Sequence, residues 1–195
     1  MKSVERLKTA FRRLPGVGPR QAERFALHFM RASTAQAEEL ASALREVKSS
    51  VKMCRRCFTY CEGDICKLCD DAGRDARLLC VVEEPQDIEA FERTGGFNGY
   101  YHVLHGSISP IDGVEASSLK IPELIERVKA DKIEEVILAT DPDTEGETTA
   151  LYIARALAGL AKTTRIGYGV PLGADLDYTD ELTLGCSLKS RTPIG

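Results

Sequence analysis

Two pairs of cysteines limit most strongly how this chain can fold. Each pair has the spacing Cys-x-x-Cys and eight residues separate the pairs, which are Cys54, Cys57, Cys66 and Cys69. Two such pairs can place four thiolates around one tetrahedral ion, and a closed four-cysteine site has no open coordination position. A segment this short cannot bury a core of its own, so the metal must supply much of its folding free energy. We therefore predict a module over residues 54–76 that holds one structural Zn²⁺.

The other cysteines leave alternatives open. A redox Cys-x-x-Cys pair is the competing interpretation of the cluster. Cys61 lies between the pairs and could replace a ligand, Cys80 lies in an apolar run that predicts a core thiol, and Cys186 has no visible role. The N-terminus lacks the apolar centre of a signal peptide and no segment is apolar enough to cross a membrane, so we expect a cytoplasmic protein with reduced thiols.

The first 53 residues have the pattern of three helices, with "LPGVGP" between the first and second. Gly16 and Gly18 permit a tight turn, and a helix that begins there exposes free N–H groups to a phosphate oxygen. Arg20 and Arg24, four residues apart, lie beside that position, and Met1–Arg31 carries eight basic and two acidic residues although the whole chain has a net charge of −4. This stretch resembles the helix-hairpin-helix motif, which grips the DNA backbone without reading bases. A plain helical corner without a ligand is the alternative.

Beyond the cysteines the pattern changes to strands that alternate with helices. Such alternation predicts a parallel sheet with both faces covered. We predict this α/β domain over residues 77–169. The remaining tail, residues 170–195, is polar and irregular, with one short strand expected near Leu182–Leu184, and we expect it to pack on a neighbouring subunit.

Acidic residues follow two of the predicted strands. Glu83 ends the first strand in "VVEEP", and "ATDPDTEGE" after a later strand supplies Asp141, Asp143 and Glu145. Ligand sites of parallel sheets lie beyond the carboxyl ends of the strands, so these acids are expected to meet. The arrangement resembles the Toprim domain of type IA topoisomerases, primases and some nucleases, in which the acids hold Mg²⁺. The competing interpretation is that Asp143 or Thr144 only caps the following helix.

Catalysis is not expected, because the chain lacks a separate domain with a tyrosine nucleophile and has no Walker A pattern. The fold class is therefore a multi-module α+β chain, with a helical hairpin domain, a zinc module, a Toprim domain and a short tail. An Mg²⁺-dependent Toprim nuclease or primase-like enzyme is the alternative function. A zinc scaffold that binds only proteins is the third.

Nearly the whole chain resembles the RecR family of bacterial recombination mediators, in "LPGVGPRQAERFALH", "CRRC…CKLC", "HVLHGSISPIDG" and "VPLGADLDYTDELTLGCSL". The resemblance implies a non-enzymatic, nucleoid-associated protein that forms a ring-shaped homotetramer around DNA. It also implies the partners RecO and RecF, with which it helps RecA load at single-stranded gaps. By the same analogy Arg20 and Arg24 contact DNA, and Glu83 and the acids from Asp141 to Glu145 bind a partner. The full Asp-x-Asp pair leaves Mg²⁺ binding open.

Overall fold

The computed structural model describes residues 1–193, which form two compact units that meet in sequence between Val51 and Lys52. The first unit contains the helices α1 (Lys2–Phe11), α2 (Pro19–Arg31) and α3 (Thr34–Ser50). The second unit contains strands β1 (Lys52–Met53), β2 (Tyr60–Cys61), β3 (Asp75–Val82), β4 (Gly99–Val103), β5 (Glu135–Ala139) and β6 (Lys162–Arg165). Its helices are α4 (Lys67–Asp70), α5 (Pro85–Thr94), α6 (Ile121–Asp131), α7 (Thr144–Ala156) and α8 (Glu181–Lys189). Within the described part of the chain, no helix has the length and apolarity needed to span a membrane.

In the first unit, α1 packs against α2 through aromatic rings. The ring of Phe11 lies 5.4 Å from that of Phe25 and 6.0 Å from that of Phe29, measured between centroids. A capping box starts α3, because Gln36 N donates to Ser33 Oγ (3.2 Å) and Ser33 N donates to Gln36 Oε1 (3.1 Å). The three helices predicted for this part of the chain are therefore present, and the "LPGVGP" turn lies between the first and second.

The second unit is built on a four-stranded sheet in the order β4-β3-β5-β6, and all three neighbouring pairs are parallel. Side chains of α6 and α7, such as Leu124 and Ile153, pack on one face of the sheet, which presents Leu79 and Val136. The other face packs against α5 through Ile88, and against partly buried side chains of the cysteine module. The predicted parallel sheet with covered faces is thus confirmed.

The connections around β3 create a ligand crevice. From β3 the chain crosses through α5 to β4 on one side, whereas β5, reached later through α6, lies on the other side of β3. The carboxyl ends of β3 and β5 therefore lie side by side at the point where the direction of the crossovers changes, and this is where open parallel sheets place their ligands.

The strand predicted near Leu182–Leu184 is wrong, because these residues lie inside α8. Asp180 caps this helix: its Oδ1 accepts from Thr183 N at 2.9 Å and its Oδ2 accepts from the Thr183 hydroxyl at 2.7 Å. The spacing Asp-x-x-Thr with an acidic residue in the first turn is the sequence signal of a helix start that the alternating leucines concealed.

Candidate functional site

The turn between α1 and α2 has the geometry of a tight glycine hairpin. Gly16 has φ +74°, in the left-handed region that glycine adopts without strain. Gly18 is the N-cap of α2 and has no side chain to accept from the first turn, and Pro19 at the start of the helix has no N–H. The following free N–H groups at the start of α2 are therefore left for an outside acceptor, as at the anion sites of other helix N-termini.

The two arginines predicted beside this turn are exposed on α2, one helical turn apart. Neither Arg20 nor Arg24 forms an ion pair within residues 1–193, whereas Lys8 is held by Glu5 (3.3 Å) and Glu23 (3.0 Å). The positive charge of the hairpin is thus carried by side chains that the chain itself does not neutralise. An anion can meet both guanidinium groups without displacing a carboxylate.

The four predicted cysteine ligands converge. Their Sγ atoms all lie within 4.8 Å of one another and all four residues are buried. The backbone N–H of Cys66 donates to Cys54 Sγ at 3.3 Å. The hydrogen bond between the sulfurs of Cys57 and Cys66 (3.5 Å) raises the pKa of the Cys57 thiol and lowers that of Cys66 to about 2. A tetrahedral cation fits this donor set, because it replaces the protons that the crowded sulfurs must otherwise share.

Cys61 does not belong to the converging set, and its thiol donates to Gly63 O at 3.0 Å. Cys80 is buried in β3, as predicted, and burial raises its pKa to about 12. Cys186 is exposed on α8. The cluster therefore uses the two regular pairs and leaves the other three thiols outside it.

The cysteine module is hydrogen-bonded to the end of β4. Val103 N donates to Cys57 O at 2.9 Å, and His105 Nε2 donates to Phe58 O at 2.8 Å. Phe58 has φ +66°, a conformation that costs a non-glycine residue free energy, so the knuckle is held in place by its surroundings. The segment after β4 is joined in turn to the end of β3, because Gly106 N donates to Glu83 O at 3.1 Å.

A buried arginine that the sequence analysis missed also joins the module to the sheet. Arg127 on α6 donates from Nη1 to Tyr101 O (2.7 Å) and to Arg56 O (3.1 Å). Burial lowers the pKa of this guanidinium, and Asp131 lies 3.4 Å from its Nε. The only sequence signal is an arginine within the apolar face of "IPELIERVKAD".

The acids predicted at the carboxyl ends of the strands meet at the crevice described above. We use "acidic edge" for the four predicted acids together with Glu147, which lies in the first turn of α7; the group is Glu83, Asp141, Asp143, Glu145 and Glu147. Glu83 Oε1 accepts from Asp141 N at 3.1 Å, which confirms that the ends of β3 and β5 bring these two residues together. Glu83 is only 7% exposed, and its burial raises the pKa of its carboxyl group, with the nearby carboxylates adding to the effect.

The predicted cap of α7 is also present. Asp143 is the N-cap, and its Oδ1 accepts from Gly146 N at 2.7 Å. Gly146 allows the loop to close on the helix, because a Cβ there would lie 2.2 Å from Asp141 O and 2.8 Å from Glu83 Oε1. The acidic edge is therefore folded tightly onto the first turn of α7.

A second residue that the sequence analysis missed places a positive charge against the acidic edge. Arg165, the last residue of β6, pairs with Glu147 (Nη1 to Oε2, 2.6 Å), and its Nη2 lies 3.4 Å from Thr140 Oγ1. The ring of Tyr168 stacks on this guanidinium, with its centroid 4.8 Å from Cζ. The rule that ligands lie at the carboxyl ends of parallel strands could have located Arg165 as well as Glu83, since Arg165 is the last residue of a strand in the same sheet.

The predicted Toprim domain implies Mg²⁺, but with Arg165 in place the acidic edge does not present a convergent set of ligands for that ion. Among the described residues, the cysteine cluster is the one group of at least three His, Cys, Asp or Glu side chains whose ligand atoms converge. Glu83 and Asp143 accept hydrogen bonds from the backbone, and Glu147 is held by Arg165. As placed, the five carboxylates do not turn toward one point, and the arginine pair of Glu147 puts a positive charge beside them, so the edge offers Mg²⁺ no preformed octahedral site.

Comparison with known proteins finds family models that match three parts of the chain. A family model described as "RecR, helix-hairpin-helix" matches residues 4–48, a Toprim domain model matches 77–167, and "RecR, C-terminal" matches 169–192. A recombination protein RecR from Rubrobacter xylanophilus is 49% identical over 191 residues, which cover 97% of this chain and 96% of that protein. The RecR proteins of Herpetosiphon aurantiacus and Myxococcus xanthus are each 48% identical over 189 residues; each alignment covers 96% of this chain, and 93% and 96% of those proteins.

Proposed function

The chain belongs to the RecR family of recombination proteins, and from this premise we propose that it is a non-enzymatic, DNA-binding mediator of recombinational repair. It binds the sugar–phosphate backbone through the hairpin of its first unit and binds protein partners through the acidic edge of its second. The cysteine cluster holds one structural Zn²⁺ per chain. As expected from the sequence, the site of action is the nucleoid in the bacterial cytoplasm.

The observation that carries this proposal is the hairpin itself. The start of α2 has no capping side chain, and Arg20 and Arg24 stand beside it as guanidinium groups that no carboxylate of residues 1–193 neutralises. Backbone N–H groups and unpaired arginines are the donors that position a protein on phosphates, and they carry no sequence information. Binding is therefore independent of base sequence and weakens as salt increases.

The double variant Arg20→Glu/Arg24→Glu tests the hairpin. Titration of fluorescent single- and double-stranded DNA at low salt should show at least about a tenfold loss of affinity, because both phosphate contacts become repulsive. The matched control is Lys129→Glu/Arg155→Glu, which makes the same change of net charge at exposed positions of the other unit. Equal losses in the two double variants would show that only the overall charge matters and would place the DNA site elsewhere.

Self-association follows from the weakness of a single hairpin and from uncovered apolar surface in both units. None of the residues of α3 is buried, and Leu44 on its apolar stripe is 63% exposed. In the tail, Leu182 is 83% exposed and Tyr178 is 90% exposed. Surfaces of this kind mark protein interfaces, and we propose that they join copies of this chain into a ring-shaped tetramer. The variant Leu44→Glu should reduce the mass measured by light scattering, whereas Ser42→Glu on the opposite side of α3 should not.

The partners proposed for the acidic edge are those that the family resemblance implies. RecO and RecF would dock there, and the assembly would help RecA to load on single-stranded DNA at gaps. Opposite charge on the partner would guide this contact and give it specificity. Charge reversal in the hairpin should leave such protein binding intact, which separates the two surfaces experimentally.

An Mg²⁺-dependent nuclease or primase-like enzyme remains the competing function, because the Asp-x-Asp pair of Toprim enzymes is complete in Asp141 and Asp143. Incubation of labelled DNA with Mg²⁺ or Mn²⁺ distinguishes the two functions. Cleavage that disappears in Asp141→Asn/Asp143→Asn would establish the enzyme and overturn the proposed mediator role.

A further inference from the structure

The acidic edge contains a cation of its own. Five carboxylates lie within a short loop and the adjoining strand end, and such a group normally demands a counter-ion or strong solvation. Arg165 supplies a positive charge from the neighbouring strand end, with Nη1 2.6 Å from Glu147 Oε2. Its Nη2 also faces the loop backbone, 3.5 Å from Asp141 O.

Tyr168 and its neighbours hold this guanidinium in position. Tyr168 stacks on one face, and the phenol oxygen of Tyr168 lies 3.4 Å from the same carboxylate oxygen of Glu147. Ser190, just after α8, donates to Tyr168 O at 2.8 Å, so the tail supports the aromatic ring. The side chain of Arg165 is 20% exposed and its Nε atom is buried, so solvent screens its charge only in part.

We propose that Arg165 is the resident counter-ion of the acidic edge and that it keeps divalent metal ions out of this site. The guanidinium pairs with Glu147 and also reaches the backbone of the Asp141 loop, so its charge repels a second cation at the same loop. The inference goes beyond the proposed mediator function, since it concerns which cations the edge accepts and holds whether or not the hairpin binds DNA.

The substitution Arg165→Ala tests this inference by removing the charge. Binding of Mn²⁺ is followed by the loss of the free-ion signal in electron paramagnetic resonance, with zinc-loaded protein and without chelators. The wild-type protein should bind Mn²⁺ weakly, and Arg165→Ala should bind about one ion per chain at least about tenfold more tightly, because a nearby like charge has been removed. Arg165→Lys keeps the charge and should behave like the wild type.

Two controls separate this effect from a general change of charge or fold. Arg155→Ala removes an exposed arginine from α7 of the same unit and should leave Mn²⁺ binding unchanged. In Arg165→Ala/Asp141→Asn the gained affinity should disappear, because the gain depends on the acidic edge. Zinc content and far-ultraviolet circular dichroism should match among all variants.

Three results would overturn the inference: tight Mn²⁺ binding by the wild-type protein, no gain in Arg165→Ala, or an equal gain in Arg165→Lys. DNA titration of the same variants keeps the two proposals apart, since the hairpin lies in the other compact unit. A wild-type protein that ignores DNA would defeat the proposed function and leave the metal-exclusion result standing.

Discussion

A methyl group added at Gly146 tests whether the acidic edge is packed onto α7 as tightly as the structure shows. The new Cβ of Gly146→Ala would lie 2.2 Å from Asp141 O, more than 1 Å inside ordinary van der Waals contact, and 2.8 Å from Glu83 Oε1. The nearer atom is a backbone oxygen that cannot rotate away. The loop and the first turn of α7 must therefore separate, which weakens the hydrogen bond from Asp141 N to Glu83.

We expect Gly146→Ala to lower the free energy of unfolding, whereas helix propensity alone would raise it. Alanine within a helix is favoured over glycine by about 0.5–1 kcal/mol. Overpacking costs about 1–3 kcal/mol, and the overlap with backbone places this site at the upper end, so we expect a net destabilisation of about 2 kcal/mol. Gly185→Ala in α8 is the matched control, because its Cβ would meet no atom within 4 Å, and it should stabilise the second unit slightly.

Tyrosine fluorescence measures this effect in the second unit alone. The chain has no tryptophan, and all six tyrosines follow Val51. Urea titration of zinc-loaded protein should therefore report the unfolding of the sheet without a signal from the hairpin unit. If Gly146→Ala were as stable as Gly185→Ala, the close packing of the acidic edge onto α7 would be refuted.

Two further predictions concern the metal and the pH. Removal of the metal by a chelator, or the substitution Cys57→Ser, should lower the hydrogen-exchange protection of the Val103 amide by at least about tenfold, because its acceptor is Cys57 O. Amides of α3, in the other unit, should not change. Equal protection of Val103 with and without metal would contradict a link between metal binding and the end of β4. Burial lowers the pKa of His102 to about 3, whereas a histidine in the unfolded chain has a pKa of about 6.5. Between these two pH values the unfolded state binds a proton that the folded state does not. The free energy of unfolding therefore falls as the pH drops through this window. At pH 4.5 the wild type should have lost about 2.5 kcal/mol more than His102→Gln, which keeps a donor for Lys120 O; parallel pH profiles of unfolding would contradict this assignment.

The sequence predicted those parts of the fold that depend on local pattern. Apolar spacing located the helices of the first unit, and alternation of strands and helices predicted the parallel sheet. The rule that ligand sites lie beyond the carboxyl ends of parallel strands predicted that Glu83 and Asp141 lie close together, and they do. The four cysteines converge as their spacing predicted.

The parts that the sequence did not predict depend on contacts between distant segments. Arg127 bonds to carbonyl groups 26 and 71 residues away, and no local pattern records that distance. Arg165 reaches Glu147 only because β6 pairs with β5 in the observed register. In the tail, two leucines two residues apart have the alternating pattern of a strand, but the side chain of Asp180 caps a helix there.

The carboxylates of the acidic edge fall into two groups, those that pair with a donor of the chain and those that do not. This grouping indicates which of them can contact a partner directly. Glu83, Asp143 and Glu147 are each held by a donor of the chain itself, so their loss acts first on the fold. The carboxylates of Asp141 and Glu145 accept no hydrogen bond from residues 1–193, and Asp141 is exposed. A basic partner would therefore meet Asp141 first, and a variant such as Asp141→Ala would weaken that contact without unfolding the loop, whereas Glu83→Ala would do both. Partner binding and stability measured together on these two variants separate a docking side chain from a supporting one.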